Sequence, residues 1–278
     1  MKRLLSVISI IASLLISHAA FATGVQSNIT IDDMGTFMFI GDSYCTASNV
    51  DDGGKEMLER GWAQITIDEL ELKHAIIACE GGTGFVHTSS DGTSFQTLLD
   101  DYYPGEDAAK EVGWVIVDGG YNDHYYSYDE IMIKGEEFVN HAKELYPNAK
   151  IAIGMNGWNR ADEDIQNAIV NVVLDAYQDL ADYTESIYIE GAEMALYDDF
   201  FSNDDFHPNE QGQESIAESI VSFINARLYD LQIANQIVPP LLDTSNPTIM
   251  APLVIIIIFT IAIIIIIVIK KKLVSTKG

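Results

Sequence analysis

The chain has 278 residues, and its 42 acidic residues outnumber its 15 basic ones, which gives a formal net charge of −27. A surface this acidic repels phosphate backbones, so nucleic-acid binding is excluded as a function. Apolar residues make up 48% of the chain, which excludes a disordered protein. With Cys45 and Cys79 as its only cysteines, the chain is neither a disulfide-stapled miniprotein nor the carrier of a multi-cysteine metal cluster.

The N-terminal segment, residues 1–22, has the pattern of a secretory signal peptide. Lys2 and Arg3 precede an apolar stretch that is too short to span a bilayer comfortably. The run Ala20-Phe21-Ala22 places small residues at the two positions that a signal peptidase reads. We expect cleavage after Ala22, and the alternative is an uncleaved N-terminal anchor.

Between residues 23 and 235, apolar runs alternate with segments of helical spacing. Buried strands are predicted over residues 36–40, 75–79, 114–117, 150–154 and 186–189. Helices are predicted over residues 54–72, 95–102, 128–145, 161–183 and 210–231. This alternation predicts one α/β domain whose five-stranded parallel sheet is covered on both faces. Ligands of such sheets bind beyond the carboxyl ends of the strands.

The first predicted strand is followed by Gly41-Asp42-Ser43. A serine on a tight turn after a strand can present its hydroxyl group at the edge of the sheet, where it can act as a nucleophile. The alternative is a helix N-cap, a position at which serine and aspartate are common. Cys45 stands where a Gly-x-Ser-x-Gly nucleophile elbow has its second glycine, which argues against an α/β-hydrolase.

Glycine-rich turns also follow the second and third strands. In Gly81-Gly82-Thr83-Gly84, the glycines allow a backbone N–H group to approach a substrate oxygen. No lysine follows in the spacing of a phosphate-binding loop. In Gly120-Tyr121-Asn122-Asp123, the Asn122 amide can donate a hydrogen bond to an oxyanion. The alternative for this segment is an ordinary turn.

A candidate acid–base pair precedes the last helix, in Asp204-Asp205-Phe206-His207-Pro208. An aspartate three residues before a histidine can accept a hydrogen bond from one ring nitrogen, which leaves the other nitrogen free to act as a base. The alternative is a surface histidine in an acidic loop. His124, beside Asn122, is a weaker candidate base because no aspartate precedes it at this spacing, and it is instead expected to line the pocket.

In combination and in this order, the segments at Ser43, Gly81, Asn122 and His207 resemble the sequence blocks of the SGNH hydrolases, also called GDSL esterases or lipases. The resemblance covers most of residues 35–232. It implies that Ser43 is the nucleophile and His207 its base, with Asp204 orienting His207. It also implies an oxyanion hole formed by Ser43, Gly81 and Asn122, with Gly82 open as the alternative to Gly81.

The resemblance further implies a flavodoxin-like three-layer α/β/α fold and hydrolysis of carboxylic esters without a metal or organic cofactor. Family members act on acetylated sugars, lipids and thioesters, so the expected substrate is a small-molecule or glycan ester. Carbohydrate O-deacetylation and short-chain ester hydrolysis are the expected activities. The alternatives are an acyltransferase that uses the same site and a non-catalytic surface binding module.

Several residues near the predicted site have two interpretations. Cys45 and Cys79 lie near the ends of strands expected to be neighbours, so a disulfide bond and two buried thiols both remain open. Trp62 is expected either in the core or at the substrate site. The stretch that contains Trp158, after the fourth strand, is expected to shape that site.

The C-terminal segment has the pattern of a membrane anchor. Residues 249–269 carry no charge and are mostly isoleucine, and Lys270, Lys271 and Lys272 follow at once. About 20 apolar residues are enough to cross a hydrocarbon core of roughly 30 Å, and the lysines favour a cytoplasmic tail over residues 270–278. With residues 236–248 as a proline-containing linker, we expect a single-pass protein whose 23–235 domain is extracellular and whose C-terminal helix lies in the lipid bilayer.

Overall fold

The structure is a computed structural model of the chain, and it describes residues 29–46, 48–51, 54–57, 60–155, 169–192, 198–202, 204 and 206–242. Residues 30–228 form one compact unit, which contains the sheet and the predicted catalytic residues. Residue 29 and residues 229–242 are the described part of a second unit. The predicted signal peptide, membrane span and cytoplasmic tail lie outside the described residues.

Strands alternate with helices along the described chain. The strands are β1 Thr36–Gly41, β2 Ser48–Asp51, β3 Gly54–Met57, β4 Ala75–Cys79, β5 Val112–Gly119, β6 Lys150–Met155 and β7 Ile187–Tyr188. The α-helices are α1 Trp62–Glu69, α2 Phe95–Asp101, α3 Glu106–Ala109, α4 Tyr128–Leu145, α5 Asp175–Tyr183 and α6 Glu210–Leu242. Short 3₁₀ turns cover Ile31–Met34, Tyr121–Tyr125 and Asp198–Phe200.

The main sheet has five parallel strands in the order β4-β1-β5-β6-β7, which confirms the predicted parallel α/β architecture. Numbered by their appearance in the chain, these strands lie in the order 2-1-3-4-5, which is the flavodoxin-like order. The direction of winding reverses between β1 and β5. In sheets of this kind the crevice at such a reversal binds the ligand, so the ends of β1 and β5 mark the expected site.

Side chains on both faces of the sheet are buried, because successive residues of a strand point to opposite faces. On one face, Phe39 packs against Trp62 of α1 with ring centroids 5.9 Å apart, and Trp114 packs against Phe223 of α6 at 5.8 Å. Trp62 is fully buried, so it is a core residue. The other face packs with residues of α2, α4 and α5 in one cluster, whose strand members include Met38, Ile40, Val115, Val117 and Ile153. Helices therefore cover both faces.

The predicted helix over residues 54–72 is wrong in its first half. Residues 48–51 and 54–57 form an antiparallel hairpin, and the helix begins only at Trp62. The apolar residues of this stretch fit a helical spacing, which gave the wrong prediction. Asp52-Gly53 stands between these two strands in the sequence, and Asp-Gly is a sequence pattern typical of a two-residue hairpin connection.

Other element boundaries differ less. α5 covers only the last part of the helix predicted over 161–183, and a π-helical turn at Ile169–Leu174 precedes it. Residues 156–168, which include Trp158, lie outside the described part of the chain. α6 continues to Leu242, so residues 236–242 of the predicted linker are helical. Among the described residues, no helix combines the length and the apolar character that a membrane span requires. The predicted span over 249–269 is not among those residues.

Candidate active site

Ser43 lies on a tight turn directly after β1. The carbonyl oxygen of Asp42 accepts hydrogen bonds from the N–H groups of Cys45 and Thr46, at 3.0 and 3.2 Å. The Asp42 carboxylate accepts a further one from Tyr44 N–H at 3.0 Å. The next described element after this turn is strand β2 rather than an α-helix, so Ser43 is not the N-cap of a helix. The serine is 9% exposed and stands at the carboxyl end of the strand, as predicted.

The glycine turn after β4 lies against the Ser43 turn. Glu80 N–H donates to the Gly41 carbonyl at 3.2 Å, and Thr83 Oγ1 donates to the Glu80 carbonyl at 2.8 Å. A Cβ atom placed on Gly81 would lie 3.5 Å from Ser43 Cβ, whereas one placed on Gly82 would lie nearest to Ser89. Gly81, rather than Gly82, is therefore the glycine beside Ser43.

Asn122 connects the ends of three strands. It lies in the 3₁₀ turn after β5, and its side-chain Nδ2 donates to the carbonyl of Thr83 at 2.9 Å. The same nitrogen lies 3.4 Å from Asp42 Oδ2, which is a long hydrogen bond. The amide is thus held between the Ser43 turn and the glycine turn.

Asp204 and His207 form a hydrogen-bonded pair. His207 Nδ1 lies 2.6 Å from Asp204 Oδ2, and Asp204 Oδ1 accepts the backbone N–H groups of Phe206 and His207 at 3.0 and 2.9 Å. Burial pushes the pKa of Asp204 upward, but these hydrogen bonds outweigh it and the pKa is lowered. Asp204 is therefore ionised at neutral pH, which orients the imidazole and leaves Nε2 on its other side.

Tyr44 attaches the His207 segment to the Ser43 turn. Its hydroxyl group donates to the carbonyl of Phe206 at 2.9 Å, and its ring lies 6.1 Å from the His207 ring between centroids. Tyr44 itself is fully buried, so the partly buried Phe206 segment is attached to a core side chain. This role of Tyr44 could not be predicted, because nothing local in the sequence links residue 44 to residue 206.

Gln213, at the start of α6, holds the Ser43 turn through a buried hydrogen bond. Its Nε2 donates to the carbonyl of Tyr44 at 2.8 Å, and its Oε1 accepts from Trp62 N–H at 2.8 Å. The side chain is fully buried, so both ends of the amide are engaged in the protein interior. Gln213 thereby connects the beginning of α1 to the turn that carries Ser43.

Asp123, next to Asn122, is a fully buried carboxylate for which the sequence predicted no separate role. It accepts backbone N–H groups of Phe85, Val86 and His87 at 2.9–3.1 Å and the hydroxyl group of Tyr177 at 3.0 Å. Asp123 therefore fixes the loop that continues from Gly81 and Thr83.

Two of the buried carboxylates titrate unusually. Burial raises the pKa of Asp42 to about 7, and the neighbouring Asp123 carboxylate adds to the rise, while the N–H groups of Tyr44 and Gly120 oppose it. Burial likewise raises the pKa of Asp123 against the hydrogen bonds that it accepts. The Asp42 side chain, which faces Asn122, therefore changes its charge near neutral pH.

His124 is placed differently from His207. Its Nδ1 lies 2.5 Å from the carbonyl of Tyr121, and its ring packs between Tyr121 and Tyr125, with centroids 4.9 and 3.8 Å away. No carboxylate orients this ring among the described contacts, in contrast to Asp204 at His207. His124 thus lacks the carboxylate partner that His207 has, and its expected place beside the substrate stays a prediction.

The two cysteines form a disulfide bond, with their Cα atoms 5.8 Å apart. The sequence left open a disulfide bond or two buried thiols, and the structure shows the disulfide bond. Gly41 at the end of β1 pairs with Cys79 at the end of β4, which brings Cys45 and Cys79 together. The bond joins the two turns that carry Ser43 and Gly81.

Each predicted site residue is therefore connected to the Ser43 turn. Gly81 lies directly beside Ser43, Asn122 contacts Asp42, and His207 is held through Tyr44. The predicted catalytic roles of these residues remain predictions at this point.

The model of the GDSL-like lipase/acylhydrolase family matches residues 39–214, which is more than half of the chain. The chain belongs to this family. The predicted SGNH identity is confirmed, and with it the prediction that the chain is an esterase. The matched range contains Ser43, Gly81, Asn122, Asp204 and His207.

Solved structures that share the fold of this GDSL-like hydrolase have low sequence identity to it. A carbohydrate esterase family 2 enzyme with a carbohydrate-binding domain, from Corynascus thermopiles (Myceliophthora fergusii), is 15% identical with a TM-score of 0.59, over 70% of this chain and 67% of its own. A carbohydrate acetylesterase family member from Sinorhizobium meliloti is 17% identical with a TM-score of 0.52, over 70% and 99%. A catalytic mutant of an acetylxylan esterase from Geobacillus stearothermophilus is 16% identical with a TM-score of 0.50, over 68% and 94%. No curated protein sequence matches the chain.

Proposed function

We propose that this GDSL-like hydrolase removes short acyl groups, acetyl above all, from carbohydrates at the outer face of a membrane. The three solved structures described above, which share its fold, are carbohydrate esterases, and this supports a glycan ester as the substrate. The observation that carries the catalytic part is the Asp204–His207 hydrogen bond, on the segment that Tyr44 attaches to the Ser43 turn.

The reaction proceeds through an acyl-enzyme. His207 Nε2 takes the hydroxyl proton of Ser43 as Ser43 Oγ attacks the ester carbonyl, and Asp204 stabilises the resulting imidazolium. The tetrahedral intermediate collapses, and the sugar alcohol leaves with the proton of His207. Water, deprotonated by His207, then attacks the acyl-serine and releases the carboxylic acid and free Ser43.

The oxyanion of each tetrahedral intermediate is stabilised by the N–H groups of Ser43 and Gly81 and by the Asn122 amide. Loss of one such donor raises the barrier by about 2.7–4 kcal/mol. The long contact of Asn122 with Asp42, at 3.4 Å, is the weaker of its two hydrogen bonds and is the one that the oxyanion replaces.

Hydrolysis of p-nitrophenyl acetate by the full-length chain tests the catalytic assignment. Ser43→Ala and His207→Ala are each expected to lower kcat at least about 10³-fold, because the nucleophile and its base act as a unit. Ser90→Ala, at an exposed serine in the loop after the glycine turn, is the matched control and keeps the activity. Full activity in Ser43→Ala would contradict the proposal.

The membrane-anchored, extracellular placement rests on the two terminal sequence patterns. An anchored esterase with this topology stays in the membrane fraction through an alkaline wash and loses its domain when intact cells are treated with protease. Activity recovered only from the soluble interior of the cell would contradict the placement.

A further inference from the structure

Tyr125 is the most exposed of the large apolar and aromatic side chains among the described residues, at 72%. Its ring nevertheless packs against two histidine rings of the protein. Its ring lies 3.8 Å from the ring of His124 and 6.0 Å from that of His87, measured between centroids. An exposed ring on a backing of other rings presents a firm, flat surface to solvent, and such surfaces are typical of binding sites.

This ring lies between the two loops that carry the proposed oxyanion donors. His87 Nδ1 lies 2.7 Å from the carbonyl oxygen of Gly82, the residue after Gly81. His124 follows Asn122 by two positions in the same 3₁₀ turn. Tyr125 contacts both histidines, so its ring lies next to the two loops that carry the proposed oxyanion donors.

A continuous row of ring contacts connects Tyr125 with the proposed base. His124 packs against Tyr121 at 4.9 Å, Tyr121 against Phe206 at 4.5 Å, and Phe206 against His207 at 4.4 Å. We call Tyr121, His124, Tyr125 and Phe206 the aromatic surface. It contains no charged side chain of fixed sign, so it offers nothing to attract a phosphate or carboxylate group.

His124 adds one polar atom without a partner. Its Nδ1 engages the carbonyl of Tyr121 and therefore carries the proton, which leaves Nε2 as an acceptor in the neutral ring. Nε2 is buried and has no hydrogen-bond partner among the described residues. A substrate hydroxyl group that approaches this edge of the His124 ring supplies the missing donor.

We propose that the aromatic surface binds the pyranose ring of the substrate and thereby determines specificity for acylated glycans. A pyranose has a face of C–H groups that packs on an aromatic ring and an edge of hydroxyl groups that donates to an acceptor such as His124 Nε2. An alkyl chain would use the rings and leave Nε2 unpaired, so a sugar fits the surface better than a lipid. This inference rests on the proposed esterase function.

The test compares an acetylated xylo-oligosaccharide with p-nitrophenyl acetate on the full-length chain. In Tyr125→Ala, the ratio of kcat/KM for the sugar ester to kcat/KM for p-nitrophenyl acetate is expected to fall about tenfold, mainly through KM, since the lost stacking stabilises the bound sugar. Tyr125→Phe is expected to restore the ratio to within about twofold because it keeps the ring. Tyr183→Ala, at a tyrosine 66% exposed at the far end of α5, is the control and leaves the ratio unchanged.

Three results would overturn the inference: an unchanged ratio in Tyr125→Ala, an equal loss on both substrates, or a selective loss on p-nitrophenyl palmitate, which would indicate a lipid surface. Calorimetric binding of the unacetylated oligosaccharide to Ser43→Ala separates this inference from the esterase function. Binding that is present in Ser43→Ala and absent in Ser43→Ala/Tyr125→Ala supports the aromatic surface even if the wild type hydrolyses no ester. Equal binding by both variants contradicts it.

Discussion

The disulfide bond between Cys45 and Cys79 joins the turn that carries Ser43 to the turn that carries Gly81. Cys45 follows Ser43 by two residues, and Cys79 precedes Gly81 by two. The proposed nucleophile and the proposed oxyanion glycine are thus tied covalently as well as through the pairing of β1 with β4. In an extracellular domain such a bond persists, because no reducing pool opens it.

Removal of this bond is expected to lower both stability and activity. The bond spans 34 residues of sequence, and closing a loop of that size stabilises a fold by about 3–4 kcal/mol. Cys45→Ala/Cys79→Ala should therefore unfold at lower urea concentration than the wild type. A reductant should destabilise the wild type and leave the double variant unaffected. A wild type that unfolds identically with and without reductant would show that the bond contributes nothing.

Asp123→Ala is expected to lower the free energy of unfolding by at least about 3 kcal/mol. The substitution leaves the buried N–H group of Phe85 and the partly buried N–H groups of Val86 and His87 without their acceptor, and an unpaired buried donor costs about 1–3 kcal/mol. Urea unfolding monitored by fluorescence measures the change. Asp91→Ala, at an exposed aspartate in the neighbouring loop, should stay within about 0.5 kcal/mol of the wild type. Equal stability of the two variants would rule out this role of Asp123.

Asn122→Ala is expected to lower kcat about 10²–10³-fold with little change in KM, since the amide contacts the oxyanion and not the bound ester. Steady-state kinetics on p-nitrophenyl acetate measure both constants. A rise in KM at constant kcat would mean that Asn122 binds the substrate instead of stabilising the oxyanion.

The raised pKa of Asp42, about 7, predicts a pH dependence of stability. The folded protein holds the proton of Asp42 more tightly than the unfolded chain does, whose aspartates have a pKa of about 3.9. The contribution of Asp42 to stability is therefore greatest below about pH 3.9, falls as the pH rises to about 7, and stays constant above that. Asp42→Asn cannot titrate, so its Tm relative to that of the wild type should rise between pH 5 and pH 7 and then level off. A difference in Tm between Asp42→Asn and the wild type that stays constant across this range would contradict the raised pKa of Asp42.

The parallel sheet was predictable because its strands are continuous apolar runs bounded by glycine turns, such as Thr36–Gly41 before Ser43. The His207 segment was predictable because Asp204 lies only three residues away, within one loop. The hairpin of residues 48–51 and 54–57 was missed because the apolar residues that follow Gly54 fit a helical spacing, although Asp52-Gly53 is a turn signal.

The supporting residues of the site could not be predicted from local sequence. Asp123 receives its hydrogen bonds from residues 36–38 positions earlier and from Tyr177, 54 positions later. Tyr44 reaches Phe206 across 162 positions, and Gln213 reaches Tyr44 across 169. Such contacts arise only after the strands assemble, so no spacing rule along the chain encodes them.

Labelling with a fluorophosphonate, followed by mass mapping of the modified peptide, tests the central claim most directly. The reagent phosphonylates a serine only where a base has activated its hydroxyl group. We predict one adduct, on Ser43, which is absent from Ser43→Ala and forms far more slowly in His207→Ala. An adduct that persists in Ser43→Ala, or a His207→Ala variant labelled at the wild-type rate, would contradict the assignment.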